Sequence, residues 1–424
     1  MLLLFLGSLF GLILIGVPVA FSLAGTASIM MIALGNLSPL KLAQTFITGC
    51  DSVPLLAIPF FMIAGEVMNA GGISKRIVKF ADTLLGHFRG GMGYVGVVAS
   101  MIFAGISGSA VADTTAVGSV VLPLMEESGY DKKKSTSLIC AAGCIGPIIP
   151  PSTQMIIYGV IAEVSIVKLF LGGIVPGLLI GLSLMVMWFY HTKKSNYPVG
   201  KRSSFKEIRH SFRSAFLAIM LPFFIIFCIV SGIATATETA AIAVMYSLVV
   251  SLGIYKELKF KDLPKVFAKA CISTAIMMMV VGAANVAAYV ITIARIPQLL
   301  SDTVLSLTNN PKVLMLLLNI LLLLVGCVMD SGPAIMILTP ILLPVVREFG
   351  LDPVYIGVIM VCNLCIGLAT PPVGNVLYVG VGLGKIKLVE LIKNIWPFLI
   401  MMFSVLFIIT YFPNLIMFIP NHLG

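Results

Sequence analysis

Charge is what this chain has least of. Asp, Glu, Lys and Arg make up 10% of its 424 residues, while 59% are hydrophobic and the mean hydropathy is +1.11. That excludes a soluble domain of this length and leaves a polytopic helical membrane protein. Alternating ten-residue segments are missing too, which excludes a β-barrel; the apolar runs are continuous and rich in Leu, Ile, Met and Gly. Histidine occurs four times, at 87, 191, 210 and 422, always in loops or at ends. Gly105-Ile106-Ser107-Gly108 has the form of an intramembrane serine protease motif, but with no His in an apolar segment a Ser-His dyad cannot form there. Asp113 and Asp330 lack the GxGD or YD setting of an intramembrane aspartyl dyad, so no enzyme is expected. The eight cysteines lie in or beside apolar segments without a nearby His, and read as small buried hydrophobes. No basic domain carries the net charge of +10, so nucleic acid is not a partner. No basic stretch or cleavage site precedes Pro18, and the start reads as a first membrane helix, not a signal peptide.

What is present is a repeat. Residues 122–159 align without a gap onto 343–380, always 221 positions apart, and 11 of the 38 pairs are identical. The shared core is a Gly followed four residues later by Pro-Pro: Gly146 with Pro150-Pro151, and Gly367 with Pro371-Pro372. Two prolines remove two backbone donors and crowd the preceding turn, so each opens a helix. Broken helices survive in hydrocarbon only where they are buried in protein or line a cavity. At matching positions in two halves they mark the binding site of a secondary transporter.

Single apolar segments fall at about 2–16, 18–35, 50–72, 134–162, 167–190, 214–232, 236–254, 270–293, 354–380 and 395–419. Two stretches, about 91–125 and 312–346, are too long for one helix and carry GISGSA and VMDSGPA in their middles. Each reads as a re-entrant hairpin, followed directly by a broken helix (134–162 and 354–380). Five crossings and one hairpin per half, with both termini periplasmic, place 22 of the 27 Lys and Arg in cytoplasmic loops. An odd number of crossings gives the halves, 1–200 and 201–424, opposite topology, so the expected fold is an all-α inverted repeat. Segments 73–88 and 255–269 alternate charged and apolar residues at helical spacing and read as interfacial helices.

Charged side chains inside apolar segments are costly and therefore functional candidates: Glu66, Asp113, Glu238, Arg295 and Asp330. Glu66 can also sit at a helix end with its head in water. Arg295 reads either as an interfacial anchor or as a group that attracts an anion. At each hairpin tip a carboxylate meets hydroxyls and opened carbonyls: Ser107, Ser109, Thr114 and Thr115 beside Asp113, and Thr370 and Asn375 beside Asp330. That is the oxygen set a hard cation such as Na⁺ takes, although small hydroxyl residues also serve as helix-packing contacts.

GISGSAVADTTAVGSVVLPLM, CAAGCIGPIIPPSTQMIIYG, GIATATETAAIAV and NLCIGLATPPVGNVLY resemble signatures of the DctM-like large membrane subunit of tripartite ATP-independent periplasmic (TRAP) transporters. The resemblance covers essentially the whole chain. It implies an elevator-type, Na⁺-coupled importer in a bacterial inner membrane. Its partners would be a periplasmic substrate-binding protein and a small four-helix membrane subunit, sometimes fused; here the sequence opens at the large subunit. Carried over by motif, one Na⁺ site would use Ala104, Ser107, Gly146, Ile149 and Pro151, and a second Gly326, Gly367, Thr370 and Val373. Ser109, Asp113, Glu238, Arg295 and Asp330 would face the substrate. Ala236 stands where many relatives have Pro, giving TATE for TPTE. The implied substrates are organic acids, C4-dicarboxylates or sialic acid, and the chain looks closer to the sialic acid members. A stand-alone sodium/anion symporter and a gated channel are the alternatives.

Overall fold

The computed structural model describes residues 1–35, 38–193, 197, 199–299, 308 and 310–423. Among them there is no strand, only an isolated bridge between Arg89 and Val199. The first half runs α1 (Leu2–Leu14), α2 (Val19–Ala33), α3 (Pro39–Cys50), α4 (Ala57–Ala70), α5 (Ile73–Leu85), α6 (Gly91–Ser107), α7 (Ala110–Glu127), α8 (Lys132–Gly143), α9 (Thr153–Ala162) and α10 (Ile166–Lys193). The second runs α11 (Phe205–Val230), α12 (Ala236–Leu248), α13 (Leu263–Ile293), α14 (Pro311–Gly326), α15 (Ser331–Glu348), α16 (Pro353–Gly367), α17 (Asn375–Gly384), α18 (Leu388–Tyr411) and α19 (Asn414–Leu423). Among the described residues, seven helical stretches are long and apolar enough to cross a membrane.

The spacing of 221 holds well beyond the aligned stretch. Moved on by 221, α7 becomes 331–348, the span of α15, and α2, α6, α8, α9 and α10 fall on α12, α14, α16, α17 and α18. Packing is reciprocal: α7 rests on α17 and α15 on α9, while α4 pairs with α12 and α13 with α2. Several identities in the repeat have plain structural causes. Asp131 and Asp352 are helix N-caps, accepting from Lys133 and Lys134 N–H (2.9 and 3.0 Å) and from Val354 N–H (2.7 Å). Gly129 and Gly350 take φ of +79° and +66° just past α7 and α15, the left-handed close that glycine makes without strain.

The expected broken helices are α8/α9 and α16/α17, each interrupted by a cis Pro-Pro bond. The hairpins are α6–α7, turning at Gly108, and α14–α15, turning at 327–330. α16 sits in the interior: from Val354 to Gly367 it is wholly buried, fitting a helix apolar on every side. The chain departs from the expected segments at two points. Residues 255–269 do not form a separate interfacial helix. A 3₁₀ turn at Phe260–Asp262 leads into α13, whose first turns hold Lys265 and Lys269. Pro264 favours a helix start there, because its missing N–H is one that the first turn leaves unpaired anyway. Residues 39–50, outside the apolar segments, form α3, and a break at 51–56 separates it from α4. α13 therefore does in one uninterrupted piece what α3 and α4 do in two.

Candidate functional site

At the first tip, α6 closes at Gly108 (φ +59°), whose N–H reaches the Ala104 carbonyl at 3.3 Å. Ser109 then caps α7, its hydroxyl accepting from Ala112 N–H at 3.4 Å. The Ser107 hydroxyl donates to the Asp113 carboxylate and accepts from Ser109 N–H at 3.2 Å. Asp113 is fully buried, and its second oxygen has no hydrogen-bond partner among the described residues. That oxygen lies 2.4 Å from where a Cβ on Gly146 would stand, so a side chain there would displace the carboxylate from the break after α8. A Cβ on Gly108 would lie 2.8 Å from the Pro151 carbonyl oxygen. The structure thus brings Ala104, Ser107, Gly146, Pro151 and Asp113 together. The Ile149 side chain packs against Gly177 of α10, which leaves its backbone carbonyl as the group that the resemblance assigns to the site. Thr114, also fully buried, points at Gly143 a hydroxyl with no hydrogen-bond partner among the described residues.

The second tip is built from backbone. A Cβ on Gly367 would sit 2.6 Å from the Gly326 backbone, so only glycine lets the end of α14 meet the end of α16. Gly374 N–H donates to the Cys327 carbonyl at 3.3 Å. The Thr370 hydroxyl donates to the Ile366 carbonyl at 2.9 Å, and Val373 is half-buried in the same break. Asp330 is the N-cap of α15, accepting from Ser331 N–H at 2.8 Å. Thr153 and Gln154, opening α9, join the tips: Thr153 donates to the Gly108 carbonyl (3.4 Å) and Gln154 to the Ser331 hydroxyl (3.4 Å).

Ser107 and Ser109 face a cavity of about 220 Å³ between the first hairpin, α4 and α13. Thr115, Asn69 and Ser273 also line it, with the Glu66–Lys269 ion pair (2.8 Å) at its edge. Glu238 and Arg295 do not line it. Glu238 is exposed and completes a capping box with Thr235, accepting from its N–H and its hydroxyl, both at 2.8 Å. Arg295 is exposed in the turn after α13, at φ +52°. Asn69, Lys269 and Ser273 were not among the expected site residues. Lys269 ends a run of five lysines, a pattern that reads as ordinary membrane anchoring, and Asn69 and Ser273 carry no charge to draw attention.

These features define a polytopic membrane transporter fold. The crystal structure of the Alcanivorax borkumensis YdaH transporter has the same fold, with a TM-score of 0.63 over 87% of this chain and 86% of that one at 14% identity. The particular family is fixed by sequence: the tripartite ATP-independent periplasmic transporter DctM component matches residues 6–415, and the chain belongs to that family. The 2,3-diketo-L-gulonate TRAP transporter large permease protein YiaN of Escherichia coli is 44% identical over 98% of this chain and 97% of its own. The sialic acid TRAP transporter large permease protein SiaM of Vibrio cholerae is 37% identical over 98% of both.

Proposed function

We propose that the chain is the large permease of a Na⁺-driven importer of an organic acid. It receives the acid from a periplasmic substrate-binding protein and works with a small four-helix membrane subunit in a bacterial inner membrane, both termini periplasmic. The observation that carries this is Asp113: a fully buried carboxylate with one oxygen unpartnered, set between Ser107 and the opened helix at Gly146. A buried ionised carboxylate costs several kcal/mol unless a cation or donors offset it. A Na⁺ held by that oxygen and nearby carbonyls offsets the charge and couples cation to anion. Around Gly326, Gly367, Thr370 and Val373, carbonyl oxygens supply a second candidate position with no buried carboxylate.

The reading divides the chain into inverted repeats 1–200 and 201–424. Hairpins and broken helices (91–162 and 312–380) move together as an elevator against a fixed frame made of the remaining helices, the interfacial ones included. The reciprocal rests of α7 on α17 and α15 on α9, and the Thr153–Gln154 link, support one moving body. The substrate class follows the relatives' names: sugar-derived acids such as 2,3-diketo-L-gulonate or sialic acid, with C4-dicarboxylates as the other candidates.

The test is uptake of 2,3-diketo-L-gulonate, N-acetylneuraminate and succinate into proteoliposomes holding both membrane subunits, with and without binding protein and a Na⁺ gradient. Uptake that needs both is expected. Na⁺-driven uptake with no binding protein would overturn the tripartite reading in favour of a stand-alone symporter, and conductance without saturation would indicate a channel.

A further inference from the structure

The inner cavity opens beside a second cleft of about 400 Å³, and the two share Glu66, Asn69 and Lys269. The ion pair between Glu66 on α4 and Lys269 on α13, at 2.8 Å, therefore stands at the neck between them. Among the described residues, Lys269 is the one cation lining the inner cavity, which also presents the Ser107 and Ser109 hydroxyls from the hairpin tip.

Two observations argue against a structural brace. The Lys269 side chain is 64% exposed and the Glu66 side chain 18%, and an ion pair this open to solvent adds little to stability. The pair also has no counterpart in the repeat. The positions 221 away are Ala287 and Thr48, so the scaffold closes there without a charge. A Lys–Glu pair over a polar cavity can do something else: the ammonium is a compact point charge on a flexible stem, able to trade one carboxylate for another.

We propose that Lys269 is the substrate-carboxylate contact of this permease and that Glu66 is its resting partner. In the empty cavity Glu66 holds the ammonium across the neck. An entering organic acid displaces Glu66, and its carboxylate takes the ammonium while the hydroxyls of Ser107 and Ser109 meet its polar groups. Leaving through the second cleft, which Lys265 also lines, the acid hands Lys269 back to Glu66. The exchange rests on the organic-acid reading above and names a residue for it.

The roles predict opposite signs. In proteoliposomes containing the complete transporter, Lys269→Gln raises KM for the transported acid about tenfold, the loss expected for one hydrogen bond to a charged group. The change in maximal rate is smaller, and Lys269→Arg restores much of the affinity. Glu66→Gln removes the competitor and lowers KM. A brace would move both variants in the same direction, and that result, or an unchanged KM in Lys269→Gln, overturns the proposal. A second arm needs no substrate. Ser273→Cys, with Cys50 and Cys271 replaced by Ser, is labelled by methanethiosulfonates carrying a sulfonate or a trimethylammonium group. The sulfonate reagent reacts faster while Lys269 is present, and Lys269→Gln reverses the preference. If none of the probe acids is transported, the organic-acid reading fails on its own, and labelling still decides whether Lys269 sets the charge of the cavity: an unaltered preference overturns the proposal.

Discussion

Positions 113 and 334 occupy the same place in the two halves, near the start of the second hairpin helix, yet one is Asp and the other Ala. The reverse holds at the caps: Ser109 opens α7 where Asp330 opens α15. The first half therefore keeps its carboxylate buried against the broken helix, and the second keeps its carboxylate exposed at the tip. Packing partners differ as well. In the second half Asn363 donates to the Asn319 side chain (2.7 Å) and Asn319 to the Thr410 hydroxyl (3.0 Å), where the first half has Ala142, Val98 and Phe189. The first half answers with a stack of Tyr130, Trp188 and Tyr197 whose mates are Leu351, Ile409 and Phe418. One backbone plan was kept twice while the side chains diverged, so the two tips need not bind a cation with equal strength.

The largest expected effect tests that inequality. Asp113→Asn keeps shape and removes charge, and should raise the Na⁺ concentration for half-maximal uptake by roughly a hundredfold, about the upper range for a charged hydrogen-bonding partner. Asp330→Asn should shift it by roughly tenfold or less. Na⁺ titrations of uptake at fixed substrate compare them, and equal shifts would show that the two tips hold the cation alike. Gly367→Ala should destabilise by about 1–3 kcal/mol, since its Cβ meets backbone that cannot yield. Gly146→Ala meets a side chain and should cost less; thermal unfolding in detergent ranks the pair.

Smaller effects separate the polar cluster from its apolar counterpart. Asn363→Ala alone leaves Asn319 poorly satisfied and should cost about 1–3 kcal/mol, whereas Asn319→Val with Asn363→Ala, copying the first half, should be nearer neutral. A double-mutant cycle on unfolding temperature measures the coupling. Least of all, Ser109→Ala should cost about 1 kcal/mol as a lost helix cap. A much larger loss of uptake than of stability would show that Ser109 acts on substrate beyond capping.

Much of this architecture can be read from the chain, because proline and glycine act locally. Pro-Pro after Gly opens a helix wherever it falls, and the hairpin middles carry small residues that turn. The continuity of α13 was hidden, because a charged first turn and an amphipathic interfacial helix share one periodicity. Glu238 stood out as a charge in an apolar run, and its ties to Thr235 lie three residues back, a capping box visible in Thr-x-x-Glu. Glu66 and Lys269 are 203 residues apart, and no local pattern announces such a pair. Arg295 shows the opposite limit: it is a conspicuous residue whose exposure only the folded chain reveals.

The reciprocal rest of each hairpin on the other half's broken helix sets an order of events at the ribosome. Chains are made from the N-terminus onward, and early segments begin to fold while later ones are still being synthesised. α7 and α9 are complete near residue 162, but their supports, α17 and α15, lie beyond residue 330. A nascent chain halted at the midpoint would hold both elements of its first tip, with α6 and α8 packed against α7, but not the second-half surfaces on which they also rest. Asp113 would already have Ser107 and Gly146 beside it, but α7 is packed on both sides only after the second half has been threaded in.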